Sequence, residues 1–496
     1  MAAIDLARRG YPVSLLERAP YLGGKLRTIS VGGKHIDAGP TVMTMRWVFD
    51  ELFAAAGRKV EDYLSLERAE LLARHAWPSR GEGTLDLYAD VERSIDAIGR
   101  FAGAKEARGY RAYVAYAQRI FETVEQPFLR SQKPSFGSTL QLAAAIGVTA
   151  FSRLDAHRTM HKSLRDFFAD PRLVQLFGRY ATYSGSSPFE APATLHVIAH
   201  VEQSGVWYVR GGMVALARGL EKLALELGVE LRTGAAVDRV YLDSGRAAGV
   251  ELASGERIDA SAVVFNGDVG ALASGLLGSG VRKAAPAPSV QQRSLSALTF
   301  SFVARPRGFE LARHNVFFSS DYAAEFRALR EERRIPGDAT IYLCAQDRDD
   351  DRPPSDEAER FFALVNAPAD GDKTTLSPSE IATCKDRTLA TLERSGLVFE
   401  GSSELHATTP GDFERLFPGT GGALYGAATH GMTATFARAG ARTKVPGLYL
   451  AGGSVHPGAG VPMAATSGRL SAAMVDEDLA SIGRSRATGT HGGTWT

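Results

Sequence analysis

The pattern of apolar and polar positions predicts helices and strands that follow one another along the chain, which is typical of an α/β protein. Residues 2–9 have the pattern of the end of an amphipathic helix, which Gly10 terminates, and residues 12–16 form a short apolar strand. An apolar run of this kind is typical of a strand that is buried on both faces of a parallel sheet. The two elements are the second half of a βαβ unit. We expect its first strand and glycine-rich turn, which the sequence does not contain, upstream of residue 2.

Periodic apolar positions predict further strands and helices on both sides of a long helical region. Two short strands flank Gly32 and Gly33 as a hairpin, residues 90–180 are mostly helical, and a helix is predicted over 213–226. Further strands are predicted over 229–232, 237–242, 247–252, 257–258, 262–265, 293–304, 339–345 and 448–451, and the last strand leads through a glycine-rich loop to a helix from Val461.

The order of these elements indicates one discontinuous α/β domain that is interrupted twice. We predict this domain over 1–80, 205–285 and 425–480, with an inserted α+β unit over 81–204 and 286–424. The remaining residues, 481–496, are polar and contain glycine, and we expect them to form a disordered tail.

Composition narrows the classes of protein that the chain can represent. It has 496 residues, of which 44% are hydrophobic, and 57 basic and 56 acidic side chains leave a formal net charge of +1. This favours large apolar cores and offers no basic field for a nucleic acid partner. Cys344 and Cys384 are too few for a disulfide framework or a multi-cysteine metal site. The longest weakly polar stretch, 140–151, is shorter than the ~20 residues of a membrane-spanning helix, so membrane contact would be peripheral.

Glycine is the residue type in excess, at 52 of 496 positions against a usual share of about 7%, and the glycines cluster. Near the first cluster, Glu17 ends the first predicted strand, where a carboxylate can accept hydrogen bonds from both ribose hydroxyls of a dinucleotide. A surface acid is the alternative. Gly23 and Gly24 would let backbone amides approach an anion, and Lys25 and Arg27 could neutralise a pyrophosphate. A simple turn would have the same residues.

The densest glycine loop follows the last predicted strand, over 452–460 (Gly-Gly-Ser-Val-His-Pro-Gly-Ala-Gly). It delivers the chain to a helix that starts at Val461 and has Pro462 in its first turn. Free amides and the positive end of the helix dipole can stabilise negative charge on a reduced flavin ring, whereas a purely structural loop is the alternative. We interpret His456 as a loop histidine with satisfied hydrogen bonds rather than as an acid–base catalyst.

Together with 37–40 (Asp-Ala-Gly-Pro), 207–213 and 266–268, these segments resemble the bacterial-type phytoene desaturases, which are FAD enzymes of carotenoid synthesis. The resemblance covers nearly the whole chain, and its most telling part is 449–460. The run 41–47 (Thr-Val-Met-Thr-Met-Arg-Trp) is closer to the 1-hydroxycarotenoid (methoxyneurosporene) 3,4-desaturase branch than to phytoene desaturase itself. The resemblance implies a Rossmann-like FAD-binding domain, here without its first strand, and an inserted α+β substrate domain with a helical membrane-facing part.

Carried over to matching positions, the resemblance implies a set of contacts with FAD. Glu17 would bind the adenosine ribose, 23–27 the pyrophosphate, and Val237 the adenine. The cofactor-binding residues that it implies are Glu17, Gly23, Gly24, Lys25, Arg27, Gly39, Pro40, Val237, Gly452, Gly453, Val461 and Met463. The G-x-G-x-x-G fingerprint expected before Ala2 is absent, and Ser454-Val455 differ from the pair usual in the family. We therefore expect the chain as written to bind FAD poorly, and upstream residues to restore binding.

The implied function is FAD-dependent desaturation of an acyclic 1-hydroxy- or 1-methoxycarotenoid, with 3,4-desaturation as the expected reaction. Electrons would pass from the flavin to a quinone or oxygen, and the enzyme would lie peripherally on the cytoplasmic side of a membrane that holds its substrate. No catalytic residue is predicted, because the sequence does not identify the group that accepts the proton. The alternatives are phytoene desaturase or carotenoid isomerase of the same family, a flavin amine oxidase, and a non-enzymatic isoprenoid-binding chaperone.

Other chemistry is poorly supported by the sequence. His157 and His161 have helical spacing without an adjacent glutamate, so we expect core or surface histidines and no metal site. Four large aromatic residues are interpreted as core residues, with a polyene tunnel as the second possibility: Trp47, Phe189, Trp207 and Tyr208.

Overall fold

The structure is a computed structural model that describes residues 1–78, 83–133, 154–286, 288–349, 357–402, 404–432 and 434–489. The stretch 140–151 therefore lies outside the described residues. In chain order the strands are β1 (Ser14–Leu16), β2 (Thr28–Val31), β3 (Lys34–Asp37), β4 (Met43–Thr44), β5 (Leu66–Arg68), β6 (Leu71–Ala76), β7 (Thr84–Tyr88), β8 (Val206–Val209), β9 (Glu230–Arg232), β10 (Val237–Asp243), β11 (Arg246–Leu252), β12 (Arg257–Asp259), β13 (Val263–Phe265), β14 (Ser296–Gly308), β15 (His314–Phe317), β16 (Ile341–Ala345), β17 (Glu359–Ala367), β18 (Leu397–Glu400), β19 (His406–Thr408) and β20 (Leu448–Leu450).

Several helices begin at a residue whose side chain caps the helix N-terminus. Asp90 accepts a hydrogen bond from the amide of Arg93 at the start of α3, and Ser377 forms a capping box with Glu380 at the start of α11. In chain order the α-helices are α1 (Ala2–Ala7), α2 (Trp47–Ala55), α3 (Val91–Ala102), α4 (Ala104–Val124), α5 (Met160–Leu164), α6 (Pro171–Gly178), α7 (Val197–Ser204), α8 (Val214–Glu226), α9 (Val269–Ser274), α10 (Tyr322–Arg330), α11 (Pro378–Arg394), α12 (Pro410–Leu416), α13 (Ala434–Ala437) and α14 (Val461–Gly489).

Two pairs of parallel strands join the three segments that the sequence assigns to one α/β domain. β1 pairs with β9, with Ser14 opposite Glu230, and β13 pairs with β20, with Val263 opposite Leu448. β10, β11 and β12 form an antiparallel sheet, and β2 and β3 form the predicted hairpin. Helix α1 packs on α14, where Arg469 donates a hydrogen bond to Asp5. Segments that are distant in sequence therefore share one layer of the molecule.

An eight-stranded sheet forms the β part of the inserted region. Its strand order is β18-β14-β17-β16-β15-β6-β7, and β19 also pairs with β14. The pairings are antiparallel except that between β15 and β6, which is parallel. Because β6 lies before residue 80, this sheet takes a strand from the segment that the sequence prediction assigns to the nucleotide-binding domain.

The two faces of this sheet have different surroundings, because side chains alternate between faces along a strand. In β17, Phe361 and Val365 point into a core that Leu392 of α11 covers. Phe362 and Leu364 point to the opposite face, which lines an internal cavity. A second core, around Tyr113, joins helices α3 to α7 beside the sheet. The sheet is thus a wall between a packed core and a cavity.

The C-terminal helix is longer than predicted. Helix α14 continues to Gly489, so the predicted disordered tail over 481–496 is wrong for 481–489, and 490–496 lie outside the described residues. Between Gly468 and Gly489 the sequence contains no proline, and the one glycine there, Gly483, weakens a helix by about 1 kcal/mol without ending it. Across the described part of the chain, no helix is both long enough and apolar enough to traverse a bilayer.

Two mid-helix glycines give opposite expectations for replacement by alanine, which is the better helix former by about 1 kcal/mol. At Gly109 in α4 a Cβ would lie 2.0 Å from the carbonyl oxygen of Phe167, whereas at Gly99 in α3 it would meet only the Cβ of Ala107, at 3.6 Å. We expect Gly109→Ala to lower the free energy of unfolding by about 1–3 kcal/mol. The matched control Gly99→Ala should leave it unchanged or raise it. Urea denaturation measures both, and equal effects would contradict the close helix approach.

Candidate functional site

A cavity of about 610 Å³ lies between the discontinuous α/β unit and the cavity face of the eight-stranded sheet. Tyr342, Phe362 and Leu364 of the sheet form one wall. The other walls come from the loop after β3, the C-terminal end of α4, the helix α7 and the start of α14. Most of the lining residues are apolar, so the cavity suits an extended hydrocarbon molecule with few polar groups.

Asp37 fixes the loop that follows β3 to two other parts of the chain. Its carboxylate accepts a hydrogen bond of 2.6 Å from the amide of Met213, directly before α8. Its backbone N–H donates to Oε1 of Gln346, and its carbonyl accepts from Nε2 of the same side chain. Burial raises the pKa of Asp37, while the amide bonds at the helix start oppose that rise. At Gly212 a Cβ would lie 2.4 Å from Oδ2 of Asp37, so this approach requires glycine.

Gly39 and Pro40 consequently lie on the cavity wall, packed tightly against the segment 25–27. The amide of Ala38 donates to the carbonyl of Arg27. A Cβ on Gly39 would lie 1.8 Å from the carbonyl oxygen of Lys25. The two backbones therefore touch, and any side chain at residue 39 would separate them.

Lys25 and Arg27 provide buried positive charge at this end of the cavity. The Nζ of Lys25 donates to the carbonyl of Leu424 and lies 5.3 Å from the centre of the Phe417 ring. The Cζ of Arg27 lies 5.9 Å from the centre of the Phe413 ring. Burial lowers the pKa of both cations, which Asp268 partly offsets for Lys25. Within the described residues, Nη2 of Arg27 is buried and has no hydrogen-bond partner. An unpaired, desolvated guanidinium nitrogen favours an anionic ligand.

Arg438 holds the glycine-rich loop over 452–460 in place. Its guanidinium donates to the carbonyls of Tyr425, Ala427 and Gly453 at 2.8–3.1 Å. Burial lowers the pKa of Arg438 to about 10, although the charge of Asp268 opposes the effect. No local sequence pattern identifies Arg438, because its three carbonyl partners lie 11 to 15 residues away in the chain.

The structure brings half of the predicted cofactor-binding residues to the cavity surface. Those that line it are Lys25, Arg27, Gly39, Pro40, Val461 and Met463. The others do not form part of its lining: Glu17, Gly23, Gly24, Val237, Gly452 and Gly453.

Some of these other residues lie close to one another. The carbonyl of Glu17, at the end of β1, accepts a hydrogen bond from the amide of Ala235, two residues before Val237. One oxygen of the Glu17 carboxylate accepts from the amide of Ala19. At Gly452 a Cβ would lie 2.9 Å from Oδ1 of Asn266. The roles of all twelve residues toward FAD stay predictions.

The arrangement fits a flavin dinucleotide in three respects. Arg27 offers an unpaired cationic nitrogen for a phosphate. Gly39 presents only backbone to the cavity, because the carbonyl of Lys25 occupies the place of a Cβ, so a flat ring can lie against this part of the wall. The start of α14 at Val461 lies on the same cavity, so the positive end of its dipole is available to negative charge on that ring.

The histidines and aromatic residues singled out in the sequence lie mostly outside the cavity. Nε2 of His456 is 2.9 Å from the carbonyl oxygen of Ser131, which confirms it as a satisfied loop histidine. The side chain of His157 is exposed, and that of His161 packs on Phe189. In the described part of the chain, no group of three His, Cys, Asp or Glu residues could hold a metal ion. The four aromatic residues considered for a tunnel are absent from the lining: Trp47, Phe189, Trp207 and Tyr208.

Polar residues that the sequence analysis missed line the sheet side of the cavity. The hydroxyl of Tyr342 is hydrogen-bonded to Thr41 at 2.6 Å and to Nδ1 of His314 at 2.8 Å. Burial lowers the pKa of His314 to about 3, so this histidine is neutral. Nearby, Glu202 accepts from the hydroxyls of Tyr180 and Tyr183. These residues come from strands and helices far apart in the chain, and no local motif connects them.

Comparison with known proteins agrees with a flavin site. Residues 1–476 match the family described as flavin containing amine oxidoreductase. The chain is 49% identical to hydroxyneurosporene desaturase of Rubrivivax gelatinosus over 496 residues, which are all of this chain and 94% of that protein. It is 43% identical to hydroxyneurosporene desaturase of Cereibacter sphaeroides, with 97% and 96% of the two chains covered. A solved structure of putrescine oxidase bound to putrescine shares the fold, with a TM-score of 0.58, 15% identity and coverage of 97% and 96%.

Replacement of Arg27 tests the anion site. We expect Arg27→Met to weaken FAD binding about 10- to 100-fold, because a hydrogen bond to a charged group contributes about 1.5–3 kcal/mol. Arg305→Met, at an exposed position on β14, is the matched control and should not change the affinity. Flavin fluorescence titration of the three proteins gives the ratio of dissociation constants. Equal affinities for FAD in wild type and Arg27→Met would contradict this role.

Proposed function

We propose that this chain, which belongs to the family of flavin-containing amine oxidoreductases, is an FAD-dependent desaturase of acyclic hydroxycarotenoids. The observation that carries the proposal is a sequence identity of 43–49% to two hydroxyneurosporene desaturases, over nearly the full length of this chain and of each relative. The mostly apolar cavity at the predicted flavin site supports the same substrate class, because a polyene offers hydrocarbon surface along almost its whole length.

The chain's own residues bind the cofactor and exclude water. Lys25 and Arg27 would hold the pyrophosphate, Glu17 the ribose, and Gly39 with Pro40 would face the flavin ring. When bound, FAD supplies the oxidation: a hydride leaves one substrate carbon for the flavin, a proton leaves the neighbouring carbon, and a double bond forms between them. The N-terminus of α14 at Val461 would stabilise the negative charge that the flavin gains.

The position of the new double bond and the fate of the electrons are further parts of the proposal. We infer 3,4-desaturation from the resemblance to the 1-hydroxycarotenoid branch, and a quinone or oxygen as the electron acceptor. We also propose peripheral binding to the cytoplasmic face of a membrane, since the substrate is a lipid-soluble polyene. Met432 supports this location, because the residue is 54% exposed and also lines the cavity, which places an apolar group at the cavity mouth.

A pigment assay tests the reaction. Purified protein loaded with FAD and supplied with hydroxyneurosporene in detergent micelles under air should produce a pigment that absorbs at longer wavelength, because each added double bond extends the conjugation. The same sample without added flavin is the control. Absence of a shift with hydroxyneurosporene and neurosporene, together with oxidation of putrescine, would favour the amine oxidase alternative. Repeating the assay without oxygen and with a soluble quinone identifies the acceptor.

A vesicle flotation assay tests the membrane location. We expect the protein to float with phospholipid vesicles, and Met432→Asp to reduce the bound fraction several-fold, because a charge at the cavity mouth opposes insertion into lipid. Val398→Asp is the matched control, since Val398 is also exposed but lies on β18, away from the cavity. Equal flotation of both variants would contradict the assignment of Met432 to the membrane-facing surface.

A further inference from the structure

Two residues that line the same cavity each carry a buried polar atom without a hydrogen-bond partner among the described residues. Tyr322 and Glu325 are three residues apart in α10, so they lie on one face of that helix, and both line the cavity. The hydroxyl of Tyr322 and Oε1 of Glu325 are buried, and neither has a hydrogen-bond partner among the described residues. The whole Glu325 residue is only 2% exposed. Unpaired polar atoms at such depth are rare in folded proteins, since each costs free energy.

The Glu325 carboxyl group is held rigidly with one oxygen left over. Its Oε2 accepts hydrogen bonds from Oγ of Ser319 at 2.6 Å and from Oγ1 of Thr340 at 2.7 Å. Helix α10 is itself fixed at its start, where the side chain of Asp321 accepts from the amide of Ala324. Burial raises the pKa of Glu325 to about 7, and the carboxyl can bond a hydroxyl group in either protonation state.

We propose that Tyr322 and Glu325 bind the terminal hydroxyl group of an acyclic hydroxycarotenoid and so select it over the non-hydroxylated hydrocarbon. This inference rests on the proposed function. An alcohol is both donor and acceptor, so it can donate to Oε1 of Glu325 and accept from the Tyr322 hydroxyl. The two protein atoms are not bonded to each other or to another described residue, so both retain their hydrogen-bonding capacity for a ligand oxygen. One small polar site in a mostly apolar cavity matches a hydrocarbon with a single hydroxyl end.

The position of this site relates the hydroxyl to the reacting part of the substrate. Tyr342 bonds to Thr41, which follows Gly39 and Pro40 on the wall assigned to the flavin ring. Thr340 lies two residues before Tyr342, so its side chain is on the same side of the chain, about 6.6 Å away along an extended backbone. The hydroxyl of Thr340 donates a hydrogen bond to Glu325. The polar site is therefore connected to the flavin-facing wall through residues 340–342, where the sheet strand β16 begins. A hydroxyl group bound there would direct the hydroxylated end of the molecule, rather than its middle, toward the site of oxidation.

Selectivity between two substrates tests the assignment. Tyr322→Phe removes only a hydroxyl that lacks a partner, so its folding should be unimpaired. We expect the kcat/KM of the wild type to be at least tenfold higher for hydroxyneurosporene than for neurosporene. Tyr322→Phe should reduce this ratio about tenfold, because it lowers kcat/KM for hydroxyneurosporene and leaves kcat/KM for neurosporene unchanged. Glu325→Met should reduce it further. Tyr241→Phe, on the surface sheet that contains β10, is the matched control and should behave as wild type.

Binding is measured separately from turnover, by titrating each FAD-loaded protein with each carotenoid and following the quenching of tryptophan fluorescence. The preference for the hydroxylated pigment should fall in parallel with kcat/KM. If wild type binds the two pigments differently but oxidises neither, the proposed function fails while the hydroxyl site stands. Equal losses on both substrates, or no change in the preference for either variant, would overturn the hydroxyl site. If Glu325→Met fails to fold, as its melting temperature shows, Tyr322→Phe decides the question.

Discussion

Hydrogen bonds of Asp37 link three parts of the molecule that are distant in sequence. Its carboxylate accepts from the amide of Met213 before α8, and its backbone N–H and carbonyl are both bonded to the side chain of Gln346, which follows a strand of the eight-stranded sheet. These bonds fix the positions of the β2–β3 hairpin, the helix α8 and the sheet relative to one another. The cavity wall at Gly39 and Pro40 begins two residues later, so its position relative to the sheet depends on this buried contact.

Buried positive charge is the second organising feature. Lys25, Arg27 and Arg438 are all desolvated, and Asp268 is the buried acid whose charge acts on both Lys25 and Arg438. At this end of the cavity the three cations outnumber Asp268, and each uncompensated buried ion costs several kcal/mol. A dianionic pyrophosphate would remove that penalty. Cofactor binding and the stability of the folded state are therefore expected to be coupled through the same side chains.

Local sequence patterns predicted what depends on local geometry. Glycines in the loop 452–460, the strand before it and the helix after it follow from backbone rules, and the hydrogen bonding of His456 agreed with the interpretation of that loop. Glu325 could not be recognised in the same way. Its significance depends on Thr340, which another strand places beside it, and on a cavity formed by the whole sheet. The tail failed for a different reason, because polar composition suggested disorder where α14 continues through Gly483 to Gly489.

The parallel pairings of β1 with β9 and of β13 with β20 constrain how the protein can be made. Strand β1 ends at residue 16 and its partner β9 begins at residue 230, whereas β13 ends at residue 265 and its partner β20 begins at residue 448. At a synthesis rate of about 5–20 residues per second, roughly 10 to 40 s separate the two strands of each pair on the ribosome. During that interval the nascent chain exposes apolar edges whose partners do not yet exist. A layered protein with its first and last segments side by side thus relies on the cell to keep a half-finished polypeptide from associating with its neighbours.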